Sequence, residues 1–559
     1  MNMDAIDEIR NRMAAEGIDW LILFSADPHL CENVPDFFNE RKRLLGFRGS
    51  AGTVILTPEK IFFRTDSRYY LECEQLFENR DVVLVKDGEE APLPQWLGER
   101  LTAGETVAVN KSGISHPFYQ KLESVCREQK TDLTDFDSGR TQRFCPGAEP
   151  LDAVVKDPVR AFRKKIGLLR RDMKGDVLLL TAPDTIAWLT GFRLFRDARE
   201  DVFFYSWALI TSDRMELFTD HPLPQELPNV EIFPYGEFLS RLDSVREQKI
   251  ECSFNDLNEN LFRFLINHRN TVIDDKLRIR LMQTVKTRGE IAAVKKAAAA
   301  DKRVLLRFRR RLLEAVEAGE RFNEADSALL LEELRRKEKS YRGASFETIA
   351  AFGENGAVVH YKPEAETAAA VGPGGLLLLD CGTHSVNGTT DITRVFWTGG
   401  GDPPPQAVRD YTAVLKAHIA LARTRFPQGT CGAALDAVAR GEARRGGAEY
   451  GHGTGHGVGW INCVHEPPFS ISPSNETVAA LPGMIVSVEP GCYRKGEYGI
   501  RIENIYAVVR DETDSDYLRF ERLTDFPFES QLTDRSLLTD DEKKWIDENG
   551  GFIDPLIPY

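Results

Sequence analysis

The sequence predicts a mixed α/β protein with three domains, of which the first two are related to each other. The chain has 559 residues, which is more than one ordinary hydrophobic core can organise. Its first half contains a faint internal repeat. Near Thr287 the composition changes from β-rich to one rich in Ala, Leu and charged residues. We place the domains at 1–150, 151–285 and 286–559.

Each copy of the repeat begins with an apolar run, continues through an L-x-G-F element and ends in a pair of strands. The apolar runs are I-L-F-S-A-D at 22–27 and L-L-L-T-A-P-D at 178–184. The predicted strand pairs lie at 54–66 and 209–220, where P-E-K and S-D-R are turn signals. We interpret the repeat as two copies of one α/β unit. Chance similarity between β-rich segments is the alternative.

The third domain begins with helices and continues with strands. Residues 287–316 and 324–337 have the apolar spacing that is typical of helices. L-L-L-L-D at 376–380 is typical of a buried strand that ends in a carboxylate. I-V-S-V-E at 485–489 and G-I-R-I-E-N-I-Y-A-V-V at 499–509 predict paired strands. We therefore expect a mixed sheet flanked by helices, with carboxylates carried on its strands.

Composition and charge exclude several classes of protein. The 72 Lys and Arg against 87 Asp and Glu give a net charge of −15, which argues against nucleic-acid binding through a broad basic face. The nine cysteines include no C-x-x-C pair, which indicates free thiols in a reducing compartment. The N-terminal segment has no apolar signal region, and no apolar stretch reaches the roughly 18 residues that span a membrane. We expect a cytoplasmic protein that binds neither membranes nor nucleic acid.

Acidic residues and histidines gather in the last third of the chain. Asp380 and Asp391 are separated by eleven positions that include two glycines, which favours a hairpin bringing both carboxylates together. The alternative is that one ends a strand and the other caps a turn. His452 and His456 stand four apart, but the glycines between them disfavour a zinc-binding helix. A phosphate loop is also disfavoured, because no Gly-Lys-Ser/Thr follows.

Glu489 and Glu503 each interrupt an apolar strand pattern. Burying such a carboxylate without a partner is costly, although strand alternation would also allow each one to face solvent. Together with Asp380, Asp391 and His456 they form a set of mostly oxygen ligands. Such a set suits two adjacent divalent cations better than one structural zinc. Six of the ten histidines fall between 360 and 465, which favours a catalytic interpretation.

Long motifs in this region resemble a known family. They are S-F-E-T-I-A-A-F-G-E-N-G-A-V-V-H-Y-K-P at 345–363, L-L-D-C-G-T-H-S-V-N-G-T-T-D-I-T-R-V-F at 378–396, H-G-T-G-H-G-V-G-W-I-N-C-V-H-E-P-P at 452–468, M-I-V-S-V-E-P-G-C-Y and G-E-Y-G-I-R-I-E-N. They resemble the pita-bread metallopeptidases, specifically the three-domain, cytosolic-type aminopeptidase P family. The resemblance implies two creatinase-N-like α/β domains followed by a pita-bread catalytic domain.

The resemblance also implies roles for the residues at the matching positions. Asp380 would chelate one metal, Asp391 and Glu503 would bridge two, and His456 and Glu489 would complete the second. Manganese is the metal expected from the family, and zinc or cobalt would also fit. Glu489 would act as general base for a metal-bridging hydroxide that attacks the first peptide bond. Of the remaining implied site residues, Arg501 would orient Asp380, and the others would contact substrate, namely His360, His465, His452 and Tyr493.

The implied substrate is a peptide with proline in second position, and the implied assembly is a homodimer. A prolidase that cleaves only Xaa-Pro dipeptides is the main alternative. A methionine aminopeptidase lacks the two large N-terminal units. A non-catalytic peptide-binding protein or a metal-free creatinase-type enzyme is disfavoured because all five ligand types are present.

Overall fold

The computed structural model describes residues 1–136, 144, 146–195 and 201–554. They form two compact units, one within Met1–Leu194 and Phe203–Ile279, the other mostly from Arg280 onward. The predicted mixed α/β architecture is confirmed. The domain boundaries near 150 and 285 stay predictions. In the part of the chain that is described, no helix combines the length and the apolar character needed to cross a bilayer.

The first unit contains two six-stranded sheets with the same topology. In spatial order their strands are Val83–Lys86, Ile61–Thr65, Thr53–Leu56, Trp20–Phe24, Thr106–Val109 and Asp132–Asp135 in one, and Val230–Phe233, Met215–Phe218, Trp207–Ile210, Val177–Leu180, Lys249–Cys252 and Thr271–Asp274 in the other. At each position in this order, the two adjacent strands are parallel in both sheets or antiparallel in both sheets. The repeat read from the sequence is therefore a structural duplication.

Helices cover these sheets and bury their apolar residues. They are Met3–Glu16, Glu40–Leu45, Tyr70–Leu76, Leu93–Gly98, His116–Gln129, Pro158–Arg171, Pro183–Thr190, Phe238–Leu242 and Glu259–Asn267. Successive residues of a strand point to opposite sides of the sheet. Alternate side chains of the first sheet therefore belong to two core clusters, one on each face. A two-stranded ribbon, Asp152–Ala153 with Phe192–Arg193, completes the unit. The helix Arg278–Thr284 leads in sequence into the second unit.

The second unit is built mostly on antiparallel strands, and both of its larger sheets are antiparallel throughout, so the mixed sheet expected from the sequence is wrong. Among its described strand pairs, Phe528–Glu529 with Phe552–Ile553 is parallel. Its three-stranded sheet has the order Ile349–Phe352, Leu376–Cys381, Ile392–Trp397, and its four-stranded sheet the order Arg425–Pro427, Tyr517–Arg522, Asn504–Arg510, Ile485–Val488. Four ribbons accompany them: Tyr341–Ala344 with Thr383–Ser385, Gly455–His456 with Ser470–Ile471, Gly491–Arg494 with Tyr498–Arg501, and Phe528–Glu529 with Phe552–Ile553. The helices are Arg288–Glu317, Glu324–Arg336, Pro405–Ala422, Gly432–Arg445 and Asp540–Glu548.

One predicted strand is divided. The run at 499–509 forms two strands, which separate at Ile502 and Glu503. Its first part pairs with Gly491–Arg494 and its second part with Ile485–Val488. The break leaves Glu503 between two strands, and its backbone N–H donates to the carbonyl oxygen of Thr393 at 3.2 Å.

The longest helix, Arg288–Glu317, begins at a capping box. The Thr287 hydroxyl accepts from the backbone N–H of Glu290 at 3.2 Å, and the Glu290 carboxylate accepts from the N–H of Thr287 at 2.7 Å. Two N–H groups that no helical turn can satisfy are thus hydrogen-bonded. The helix begins where the change of composition predicts it.

Thr287→Ala removes one of these bonds and should weaken the first helical turn by about 1 kcal/mol. We expect faster hydrogen–deuterium exchange in peptides covering the first helical turn, with unchanged exchange near the helix centre. Lys296→Ala, at an exposed position of the same helix, is the control. Equal protection in both variants would contradict a stabilising role for the cap.

Candidate metal centre

Asp380 and Asp391 lie on adjacent antiparallel strands. In the pairing of Leu376–Cys381 with Ile392–Trp397, Asp380 stands opposite Thr393, and Asp391 directly precedes the second strand. Gly382 allows Ser345 and Thr390 to approach the backbone closely at this point, because a Cβ there would lie 2.1 Å from both Ser345 Oγ and the carbonyl oxygen of Thr390. The hairpin that the glycines predict is present.

His456 faces two carboxylates. Its Nε2 lies 3.3 Å from Asp391 Oδ2 and 3.4 Å from Glu489 Oε1. Its Nδ1 contacts the carbonyl oxygen of Gly457 at 2.9 Å, and this bond requires the proton on Nδ1, which leaves Nε2 to the site. Burial acts against a charge on the ring, but the contacts with Asp391 and Glu489 outweigh it and raise the pKa of His456 to about 9.

Glu489 and Glu503 each follow the end of a strand and point inward. Glu489 Oε1 accepts a hydrogen bond from Ser487 Oγ at 3.1 Å, and Glu503 Oε2 accepts one from Thr393 Oγ1 at 2.7 Å. Glu503 is only 2% exposed. The alternative in which Glu503 faces solvent is therefore wrong. Asp391, His456 and Glu503 each offer a ligand atom, and these three atoms lie within 4.8 Å of one another.

The four carboxylates repel one another in a buried space. Burial raises the pKa of Asp380 to about 6, although Arg501 acts in the opposite direction and Asp391 adds to the rise. Burial also raises the pKa of Glu489 and, together with Asp391, that of Glu503. Among the described residues, Oδ1 of Asp380 and Oδ1 of Asp391 are buried without a hydrogen-bond donor.

This combination of features fits metal binding. A buried anion needs a compensating charge, and the orphaned oxygens of Asp380 and Asp391 are available as ligands. Carboxylate oxygens with one imidazole form a donor set suited to two divalent cations rather than to one structural zinc. The side chains present therefore fit a dinuclear centre.

Arg501 connects the site to its surroundings. Its guanidinium donates to Asp380 Oδ2 at 2.5 Å, to Thr393 Oγ1 at 3.1 Å and to the Tyr493 hydroxyl at 2.8 Å. A fourth, longer bond of 3.4 Å reaches the carbonyl oxygen of Val359. Arg501 is 1% exposed, so these bonds form in a low-dielectric environment. The contact with Asp380 that the sequence predicts is present.

The other predicted site residues surround this centre to different degrees. Tyr493 receives the bond from Arg501, and its hydroxyl lies 2.8 Å from Nε2 of His452. The ring of His465 stands perpendicular to that of His456, with 4.4 Å between centroids. His360 is half-buried and follows the residue whose carbonyl accepts from Arg501. Arg501 and His465 thus contact ligands of the cluster directly. Tyr493 and His452 are linked to the cluster through Arg501, and His360 follows a residue that bonds Arg501.

Sequence reasoning missed Thr393. Its hydroxyl donates to Glu503 and accepts from Arg501, so it joins two site residues that lie more than 100 positions away. The signal was available in the hairpin, because the residue opposite Asp380 on the next strand is Thr393. Sequence reasoning also missed the buried ion pair between Lys286 and Glu466. Glu466 directly follows His465 in sequence, but no local pattern marks either residue as part of a pair.

A buried cluster of four carboxylates and one imidazole on this α/β scaffold defines a metallopeptidase. Residues 292–510 match the model of metallopeptidase family M24. Two curated relatives are each named "Probable Xaa-Pro aminopeptidase P". The protein of Sordaria macrospora is 31% identical over 98% of this chain and 94% of its own length, and that of Laccaria bicolor is 32% identical over 98% and 89%. The chain belongs to family M24, as a member of its aminopeptidase P group.

The remaining comparisons cover the rest of the chain. Residues 6–144 and 157–290 each match a creatinase/prolidase N-terminal domain, and residues 516–549 match the C-terminal region of the M24 family. The crystal structure of X-prolyl aminopeptidase from Caenorhabditis elegans, described as a cytosolic enzyme with a di-nuclear active site, has a TM-score of 0.87 and is 26% identical. The similarity covers 95% of this chain and 90% of that one. The predicted succession of two creatinase-N-like domains and a catalytic domain is confirmed.

Arg501→Lys retains a positive charge but loses the planar group that bonds Asp380, Thr393 and Tyr493 together. We expect the affinity for Mn²⁺ to fall by about 10–100-fold, since residues that orient ligands commonly have effects of this size. Calorimetric titration of the metal-free protein measures it. Arg494→Lys is the control, because Arg494 lies on the paired strand but bonds Asp410 instead. Equal affinities in wild type and Arg501→Lys would contradict the orienting role.

Proposed function

We propose that the protein releases the N-terminal residue from peptides whose second residue is proline, with two divalent cations in the ligand cluster. The observation that carries this proposal is the meeting of Asp380, Asp391, His456, Glu489 and Glu503 in one buried cluster. It is supported by relatives named Xaa-Pro aminopeptidase P along nearly the whole chain. Manganese is the metal we propose, because an oxygen-rich donor set accepts it readily.

Asp380 would hold one cation, His456 and Glu489 would hold the other, and Asp391 and Glu503 would contribute to both. Thr393 and Ser487 support this division, because each bonds one oxygen of a glutamate and fixes the orientation of its carboxylate. When bound, the two cations supply Lewis acidity, which lowers the pKa of water and polarises the scissile carbonyl.

Glu489 takes the proton of the attacking water. Burial raises the pKa of its carboxyl, which brings it closer to the working pH that suits a group that both accepts and returns a proton. The hydrogen bond from Ser487 Oγ fixes one carboxylate oxygen. The other is available to the reaction.

His465 and His360 act on the substrate. The ring of His465 lies against that of His456 and is therefore beside the scissile bond of a peptide bound at the cluster. A donor placed there stabilises the negative charge that develops on the carbonyl oxygen by about 3 kcal/mol. His360 serves the leaving nitrogen, which belongs to proline and carries no proton of its own before cleavage. Proton delivery to this nitrogen is therefore a requirement of the reaction.

Selectivity for proline needs a pocket rather than a hydrogen bond. The Xaa-Pro bond is tertiary, so the enzyme receives no N–H to recognise. We propose that His452 and Tyr493, which contact each other at 2.8 Å, line the pocket beyond the scissile bond. A cytoplasmic location is supported by the cytosolic character of the C. elegans enzyme, and a homodimer by the family resemblance.

Metal removal and a peptide panel test the activity. We expect the metal-free protein to be inactive and Mn²⁺ to restore it. The restored enzyme should cleave Xaa-Pro-Xaa tripeptides and longer peptides, while matched peptides with Ala in second position are cleaved much more slowly. Chromatography of the released residue measures each rate. Cleavage of Xaa-Pro dipeptides without cleavage of tripeptides would identify a prolidase and overturn the proposal.

Glu489→Gln should reduce kcat by about 10²–10⁴-fold, because glutamine cannot accept the proton. Substrate binding should remain measurable by titration with an uncleaved peptide, and bound metal should be determined in the same samples. Glu497→Gln, at an exposed position in the turn of the neighbouring hairpin, is the control with full activity. Unchanged turnover in Glu489→Gln at full metal content would remove Glu489 from the mechanism.

A further inference from the structure

Asp301 is a buried carboxylate behind the hairpin that carries Asp380 and Asp391. It lies on the helix Arg288–Glu317 and is 5% exposed. Its Oδ2 accepts hydrogen bonds from two hydroxyls, that of Thr390 through a short contact and that of Thr383 at 3.3 Å. One oxygen atom of a helix thus joins both arms of the hairpin.

Thr383 and Thr390 form the point where the hairpin arms meet. The N–H of Thr390 donates to the carbonyl of Thr383 at 2.9 Å, and the N–H of Thr383 donates to Thr390 Oγ1 at 3.0 Å. Their hydroxyls are 2.9 Å apart. Thr383 comes three residues after Asp380, and Thr390 comes directly before Asp391. Asp301 therefore contacts the hairpin between the two ligands.

Stability alone does not account for an ionised group at this place. Burial raises the pKa of Asp301, and its charge is balanced by Arg335, whose Nη2 lies 3.8 Å from Oδ1. Arg335 is itself 1% exposed. Apolar residues of similar volume are often as stabilising as a buried ion pair, or more so. A carboxylate differs from them because a single oxygen can accept from both threonines and hold them in one arrangement.

We propose that Asp301 is a positioning residue that fixes the placement of Asp380 relative to Asp391 and thereby sets the affinity for the second of two divalent cations. The proposal rests on the proposed dinuclear function. It assigns to the helix a part in metal binding although none of its residues is a ligand. If the separation of Asp380 and Asp391 changes, the cluster still offers enough ligands for one cation. The affinity for the second cation is therefore the quantity that should fall.

The test compares Asp301→Asn with wild type in the full chain, starting from metal-free protein. Asparagine has nearly the same volume, but it is a weaker acceptor and leaves Arg335 without a countercharge. Calorimetric titration with Mn²⁺ gives the number of ions and both affinities, and electron paramagnetic resonance distinguishes a coupled pair from single ions. In Asp301→Asn we expect the affinity for the second Mn²⁺ ion to fall by about 10–100-fold. The resonance signal of the coupled Mn²⁺ pair should then be absent at a Mn²⁺ concentration that saturates wild type.

Glu529→Gln is the matched control. Arg309 lies on the same helix and donates to Glu529 at 3.0 Å, in a second buried ion pair. That pair does not bond the hairpin, so Glu529→Gln should lower stability and still bind two Mn²⁺ ions with wild-type affinity. Equal loss of metal in both variants would show that loosening of the helix, rather than Asp301, causes the effect.

Thr390 provides a second route should Asp301→Asn fail to fold. Thr390→Val removes the hydroxyl at nearly constant shape and should lower the affinity for the second Mn²⁺ ion. Thr390→Ser keeps the hydroxyl and should bind the second ion with wild-type affinity. If wild type binds no pair of Mn²⁺ ions, the dinuclear function itself fails. If wild type binds two and both Asp301→Asn and Thr390→Val bind two with equal affinity, the positioning role fails while the proposed function stands.

Discussion

Repulsion among buried carboxylates is the constraint on which the rest of the second unit depends. Asp380, Asp391, Glu489 and Glu503 all act on one another electrostatically, and burial raises the pKa of three of them. A fold would ordinarily disperse such a group, because each uncompensated charge is expensive away from water. Here the fold instead brings the four carboxylates together from separate stretches of the chain. Arg501 supplies compensating positive charge within the protein, and two divalent cations held by the cluster would supply the rest.

The scaffold tolerates this repulsion because the ligands stand at the ends of apolar strands. Leu376–Cys381 and Ile485–Val488 are buried along their length; Asp380 is the next-to-last residue of the first, and Glu489 directly follows the second. Arg394 lies on a third strand, Ile392–Trp397, and connects it to the cluster. Its buried guanidinium donates to the carbonyls of Thr393, Glu503, Phe526 and Pro527 and to Asn504 Oδ1. Hydrophobic burial of the strands thus outweighs the cost of the charges at their ends.

Local patterns made much of this predictable. The two L-x-G-F elements with their strand pairs predicted a duplicated unit, and both sheets have the same topology. Glycines near Asp380 and Asp391 predicted the hairpin, because turn chemistry is encoded over a few residues. The separation of strands at Glu503 was not predicted, although the apolar alternation changes phase there, from Ile500 and Ile502 before it to Ile505 and Ala507 after it. Propensity cannot register a break imposed by partners far along the chain.

Partners far apart in sequence account for what could not be predicted. Asp301 and Thr390 are 89 positions apart, and Lys286 and Glu466 are 180 apart. Each is an ordinary charged or polar residue in its own segment, so nothing nearby marks it as buried. Asp301 and Thr390 pair only when the helix Arg288–Glu317 packs on the hairpin, and Lys286 and Glu466 pair only when their two distant segments meet.

Such pairs explain why ligand identity alone does not make a dinuclear site. Two cations bind together only if the shared carboxylates are held at the correct separation, and the ligands themselves repel one another. The separation must therefore be fixed by hydrogen-bonding neighbours outside the cluster. Thr393, Arg501 and Arg394 meet this need on the strand side. Asp301 meets it on the helix side. Both sides consist of hydrogen bonds within the protein, so the placement of the ligands is supported by residues that do not themselves bind metal.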